Sequence, residues 1–198
     1  MVHSSTSRIR RIGVDDEGDT QCQVVYITEC DKAYFAISYS DAVDGIDRWV
    51  CNDRGPLVFV GSQSLQQWLS AKTASNPNLD VEIRKNLVHE HLLDSPDQRY
   101  GDLTHLYSML NDEIEWTLES VRLALDTVDL LYEWRCSLQD FGVGKHKDLD
   151  DFANAMCDVV LFGDVTPKEC SQVLDKPALL KVIEKEFELL MGKSEMHD

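Results

Sequence analysis

The chain has 198 residues, enough for one large domain or two small ones and for burial of roughly 70% of the surface an extended chain exposes. At 43% hydrophobic and 28% charged it is not fibrous, collagen-like or wholly disordered. Its 19 Lys and Arg are outnumbered by 36 Asp and Glu, and the formal charge of -17 repels phosphate backbones and anionic lipid while attracting basic surfaces.

In chain order, Met1 to Ser7 is small and polar, a frayed start. Ser7 to Val14 suits a first strand, and Asp15-Asp16-Glu17-Gly18-Asp19 an acidic turn without the ligand spacing of an EF-hand. Gln21 to Glu29 alternates, with Val25 and Ile27 on one side and Cys22, Val24 and Tyr26 on the other. Lys32 to Tyr39 repeats the pattern with Ala33, Phe35, Ile37 and Tyr39, and Cys30-Asp31 is short enough to close a hairpin. Asp47 to Cys51 and Leu57 to Val60 flank the turn sequence Asn52-Asp53-Arg54-Gly55-Pro56. These runs predict an N-terminal antiparallel sheet of four or five strands.

After Gly61 the period changes from two to that of a helix. Ser62 to Lys72 reads as a short helix with Leu65, Trp68 and Leu69 on one side, and the polar stretch Thr73 to Asn78, with Pro77, as a linker. Leu79, Ile83, Leu87 and Leu92 or Leu93 mark another helix. Ser95-Pro96-Asp97-Gln98 carries the start signals of the next.

From Asp102 to Asp140 there is neither Gly nor Pro. Eleven heptad-like positions from Leu103 to Leu138 are apolar except Thr117 and Arg135. A continuous helix here would run roughly 58 Å, longer than a small domain, so it must bend, break or project. Gly142 and Gly144 end it. Leu149, Phe152, Ala153, Met156, Val159 and Val160 form the next apolar face, Thr166-Pro167-Lys168-Glu169 a capping box, and Leu180, Ile183, Phe187 and Leu190 the last stripe after Pro177. The fold class is therefore α+β: a β-rich region over 1–75, then an acidic helical region over 76–198 built around one long helix, the two forming one continuous domain if the first is too small for its own core. Residues 1–75 carry a net charge of -3 and residues 76–198 a net charge of -14.

Chemistry-bearing motifs are few. Asp140-Phe141-Gly142 has no kinase catalytic or glycine-rich loop before it, Gly142-Val143-Gly144-Lys145 is too short for a phosphate loop, and no Gly-x-Ser-x-Gly elbow occurs. His89-Glu90-His91 lies near Asp94, and Asp102 precedes His105 by three, but His89 and His91 splay on a helix, so no functional metal is expected. No cofactor is expected either. The six cysteines form no Cys-x-x-Cys pair, and with no charged start and apolar leader the chain reads as cytoplasmic with reduced thiols. Its longest wholly apolar runs, such as Val159 to Phe162, are too short for a membrane helix. The four tryptophans read as packing residues.

The distinctive surface feature is a row opposite the apolar stripe: Asp112, Glu115, Glu119, Arg122, Asp126, Asp129, Glu133 and Asp140, seven of eight acidic. Like charges three or four apart cost about 0.2–0.5 kcal/mol per pair, so stability alone favours interspersed Lys. Asp112, Glu115, Glu119, Asp126, Asp129, Glu133 and Asp140 are accordingly the candidate partner-binding residues. The expectation is a non-catalytic acidic protein that neutralises a basic, nucleic-acid-handling protein partner, as immunity proteins, anti-defence inhibitors and DNA mimics do, without touching nucleic acid or membrane itself. Two other classes remain: an adaptor or chaperone holding a protein through its long helix, and an enzyme using His105 and carboxylates. A helical stripe can also serve as the seam of a homodimer.

Overall fold

The computed structural model describes residues 22–40, 45–70, 98–144, 147–163 and 165–198, with the side chains of Cys22, Asp140 and Asp148 outside that description. The predicted first strand, acidic turn, linker and helix around Leu79 to Leu93 lie outside the described residues, as do His89, His91 and Asp94.

Strands β1 (Cys22–Glu29) and β2 (Lys32–Ser40) pair antiparallel from Cys22↔Tyr39 to Glu29↔Lys32. Cys30 closes their two-residue turn at φ 52, and its backbone N–H donates to Thr104 Oγ1 at 2.8 Å. Strands β3 (Asp47–Trp49) and β4 (Leu57–Val60) both run antiparallel to β2, one beyond the other along the same edge. They join each other only around the Cys51↔Pro56 bridge, so the expected β3–β4 hairpin is a loop between two partners of one long strand. Helix α1 (Ser62–Ser70) follows as predicted.

The fold is α+β, but its sheet is mixed, not antiparallel throughout. Strand β5 (Arg99–Asp102) adds parallel to β1, and β6 (Glu195–His197) parallel to β4, giving the order β5-β1-β2-β4-β6. Of the start signals Ser95-Pro96-Asp97-Gln98, the first three residues lie outside the described residues, and Gln98 directly precedes β5. Both added strands have a single large apolar residue and are recruited by pairing, a tertiary choice that overrides their weak pattern. Gly55 admits β6: a Cβ there would meet the Lys193 carbonyl oxygen at 2.2 Å. One aromatic row crosses these five of the six strands in register, Tyr100, Tyr26, Phe35, Phe59 and His197, with ring centroids 5.7 Å apart for Tyr26–Tyr100 and 5.0 Å for Tyr26–Phe35. Such cross-strand pairs fix register.

The long apolar stripe folds not as one long helix but as two, α2 (Leu103–Leu110) and α3 (Leu118–Ser137); of bending, breaking and projecting, it breaks. Asp102 caps α2 by accepting the His105 backbone N–H at 3.0 Å. Asn111 ends it, Asp112 turns the chain at φ 59, and Thr117 restarts it through a reciprocal capping box with Ser120. A short 3₁₀ turn (Gln139–Phe141) closes on Gly142 at φ 83, so Asp140-Phe141-Gly142 is a helix ending. Then come α4 (Lys147–Cys157), a π-helical turn (Asp158–Phe162), α5 (Pro167–Val173) behind the predicted Thr166/Glu169 box, and α6 (Lys176–Gly192).

Val25, Ile27, Tyr34, Ala36, Trp49 and Val58 form the sheet's inner face, packed in one core with Leu106, Val128, Leu131, Trp134, Phe152, Ile183 and Leu190 from the helices. Trp49 and Trp134 stack at 4.4 Å within it. The outer face carries a smaller cluster around Val24, Ile37 and Phe59 under Leu65 of α1. Gly101 lets α3 approach β5, since a Cβ there would lie 2.9 Å from the Thr127 Cα.

Candidate functional site

The seven candidate carboxylates do not form one row. The break between α2 and α3 puts Asp112 and Glu115 on the connector, and the 3.6-residue helix drifts about 20° per heptad against a seven-residue spacing. The result is an outer and an inner group.

The outer group is Asp112, Glu115 and Glu119, joined by Glu113, all exposed. Asp112 accepts from Lys176 Nζ at 2.5 Å, and the same ammonium stands 5.2 Å over the Trp116 ring. Glu113 accepts from Ser108 Oγ at 2.9 Å. Glu119 lies in the first turn of α3, where the helix dipole favours negative charge. Four carboxylates thus share one eight-residue stretch of surface, and among the described residues a single ammonium, that of Lys176, forms an ion pair with them.

The inner group is Asp126, Asp129 and Glu133, where α3 passes over β3 and β5. Asp126 is exposed, Asp129 half-buried and Glu133 6% exposed. Glu133 accepts from Arg99 Nη1 at 2.5 Å and from Ser38 Oγ at 3.2 Å, while Asp47 lies 3.4 Å from the same guanidinium nitrogen. Burial pushes Glu133 above the ordinary carboxylate range; Asp47 adds to that, and Arg99 and the Ser38 hydroxyl oppose it. Asp129 is raised by burial and by Asp126, against Arg99. Asp126 is raised by burial, against Arg99 and Arg122. Glu133 is therefore no docking carboxylate: it is spent inside the fold on Arg99 and Ser38. Asp140 falls in the 3₁₀ turn, its side chain outside the described residues.

Other expectations fare unequally. The α3 stripe residues Val121, Ala124, Val128 and Leu131, and Leu138 beyond them, are buried in the chain's own core, so this stripe offers neither a homodimer seam nor a groove for another protein. Asp102 is occupied as a cap, and the His105 ring nitrogen Nε2 lies 3.3 Å from the Ser120 carbonyl oxygen. Among the described residues no three His, Cys, Asp or Glu side chains converge as metal ligands. Trp49 and Trp134 are buried and Trp68 and Trp116 half-buried, all in packing roles. Among the described residues no helix is long and apolar enough to cross a membrane.

Sequence reasoning missed Arg99 and Asp47, which gather the inner group; nothing local marks them. It also missed Leu161 and Phe162, 68% and 67% exposed on the π-helical turn. Their signal was visible in the run Val159-Val160-Leu161-Phe162, because four consecutive apolar residues cannot share one helix face. Val159 is buried, and Leu161 and Phe162 are carried outward.

No family model matches the chain, and no curated protein matches its sequence. Among solved structures it is similar to the C-terminal domain of SatS, crystallised in complex with bromine, with 13% sequence identity over 88% of this chain and 93% of that one and a TM-score of 0.48. That likeness is too distant to bear on what this chain does.

Proposed function

We propose that this protein is a non-catalytic acidic binding protein that occupies a basic surface on a protein partner, in the manner of an immunity protein or an inhibitor of a nucleic-acid-handling enzyme. The observation that supports this reading most is the outer group: Asp112, Glu113, Glu115 and Glu119 stand exposed together, and among the described residues only Asp112 of the four is held by an ammonium. Carboxylates so placed accelerate encounter with Lys- and Arg-rich surfaces and repel nucleic acid itself. The proposed location is the cytoplasm, whose reducing conditions suit Cys30, Cys51, Cys136, Cys157 and Cys170, none of them held in a disulfide. The adaptor reading has less support, because the α3 stripe is buried, and the enzyme reading less again, because Asp102 and His105 serve the α2 cap and a carbonyl contact.

The test is a low-salt pull-down from the native host with wild-type protein and with Glu113→Lys/Glu115→Lys/Glu119→Lys. The expected result is a basic partner retained by wild type, eluted by salt and lost by the variant. If wild type and variant retain the same proteins, the outer group is only a wetted surface and the reading falls.

A further inference from the structure

The π-helical turn Asp158–Phe162 ends at Gly163, which takes φ 67, and the turn presents two adjacent large apolar side chains to water. Leu161 is 68% and Phe162 67% exposed, while Val159, two and three residues earlier, is 3% exposed. A regular helix would keep the register set by Leu149, Phe152 and Met156; the wider π turn shifts it, and π turns are frequently found at functional sites. Covering either side chain with a partner takes apolar surface out of water and so favours the complex.

Carboxylates accompany this pair. Asp158 heads the same turn and is exposed. Between α4 and the turn, the Cys157 thiol is pushed up by burial and then by Asp129 and Asp158 together, so both carboxylates act on one sulfur. Asp129 in turn feels Asp126, with Arg99 acting against both shifts and Arg122 against that of Asp126. The turn packs against α3, on which Asp126 and Asp129, three residues apart, share a face, and Asp158 belongs to the same turn as the apolar pair. An apolar anchor beside carboxylates complements one kind of surface, apolar on one side and cationic on the other. A second copy of the chain is a poor occupant, since it would bring another -17 of charge to the contact.

We infer that Leu161 and Phe162, with Asp158, Asp129 and Asp126, form a docking face for a basic amphipathic helix of a partner protein. This rests on the reading of the protein as a binder of basic proteins and adds to it the partner's second property, an apolar stripe beside its Lys and Arg. The partner helix lays its apolar side on Leu161 and Phe162 and its cationic flank along the carboxylates. The apolar pair sets the residence time and the acids the rate of arrival.

The experiment uses the full chain and two synthetic peptides, each about 18 residues long and of equal charge, one an amphipathic Leu/Lys helix and the other of Gly and Lys. Wild type is expected to bind the Leu/Lys peptide at least about tenfold more tightly. In Leu161→Ser/Phe162→Ser the preference disappears, while weak salt-sensitive binding of both peptides persists and the melting curve stays that of wild type. Phe162→Trp supplies a second measurement: the emission of the introduced indole moves to the blue when the Leu/Lys peptide binds. The docking face is refuted if the double variant keeps the preference, or if the emission of the Phe162→Trp variant ignores the bound peptide. It is also refuted if wild type sediments as a dimer that the double variant abolishes, since the face then belongs to a second copy. Binding of both peptides that is indifferent to salt and to Glu113→Lys/Glu115→Lys/Glu119→Lys overturns the acidic-binder reading instead.

Discussion

The two ends of the α2–α3 segment treat charge in opposite ways. Around the connector, Asp112, Glu113, Glu115 and Glu119 are left in water, and among the described residues only the Lys176 ammonium pairs with them. Toward the end of α3 the charges go inside: Glu133 reaches Arg99 and Ser38, and Arg135 reaches Glu186 of α6 and the Gly144 carbonyl oxygen. One sequence periodicity therefore covers two electrostatic regimes. A surface carboxylate can be spent on a partner at little structural cost, whereas a buried one is already spent on the fold. The comparison separates residues to test for binding from residues to test for stability.

The largest effect belongs to the most buried pair. Glu186 is 1% exposed and Arg135 8%. Glu186→Ala leaves a guanidinium stranded in the core and should cost roughly 3–5 kcal/mol in chemical denaturation. The double replacement Arg135→Met/Glu186→Leu removes both charges and should lie within about 1.5 kcal/mol of wild type. A single variant as stable as wild type would show that water reaches the pair and would erase the contrast between the two ends.

Glu133→Ala comes next. Its partner Arg99 keeps 35% of its side chain exposed, so water takes over part of the lost contact. The expected loss is about 2 kcal/mol, below that of a sealed pair. Gly101→Ala acts at the same crossing by forcing α3 off β5, since the new Cβ would sit 2.9 Å from the Thr127 Cα. A loss of roughly 1–3 kcal/mol is expected from overpacking there.

The exceptions in the sequence pattern turn out to be where the structure is decided. Thr117 and Arg135 were the two polar interruptions of an otherwise apolar stripe; Thr117 caps the restarted helix and Arg135 carries the buried ion pair. The sheet's faces and the α1, α4, α5 and α6 segments were legible because period and caps are local signals. The parallel strands β5 and β6 were not, because Arg99-Tyr100-Gly101-Asp102 and Glu195-Met196-His197 hold too little alternation to announce themselves. The depth of the carboxylates was equally hidden. A heptad count places Glu119 and Glu133 on one line, but only the crossing of α3 over β3 and β5 makes one wet and the other dry.

A smaller effect reads the inner group through pH. Asp126, Asp129 and Glu133 are all raised in the folded state, so between the ordinary carboxylate range near about 4 and their folded values the native chain binds more protons than the unfolded one. Their contribution is therefore fully present below that range and is lost as pH rises through the folded values. Asp129→Asn, which abolishes one such group, should raise the melting temperature at about pH 7 and leave it unchanged at about pH 4. A gain of the same size at both pH values would place the cause in something other than ionisation.

The smallest structural effect is expected where the functional effect should be largest. In Glu113→Lys/Glu115→Lys/Glu119→Lys, the lysine replacing Glu119 opposes the dipole in the first turn of α3, costing roughly 0.3–1 kcal/mol. Against that, the variant removes repulsion among carboxylates crowded into one short stretch, and surface substitutions usually stay within about ±0.5 kcal/mol. The net change in urea denaturation should therefore fall below about 1 kcal/mol, with the denaturant slope unchanged. That near-neutrality is what entitles a loss of partner binding to be assigned to charge and not to unfolding. It also discriminates between the ends of the segment, because Glu133→Ala should show the reverse profile: a clear stability loss and no direct part in docking. If the triple variant instead loses about 2 kcal/mol or more, the connector's acids belong to the fold as Glu133 does, and the outer and inner groups are one structural network after all.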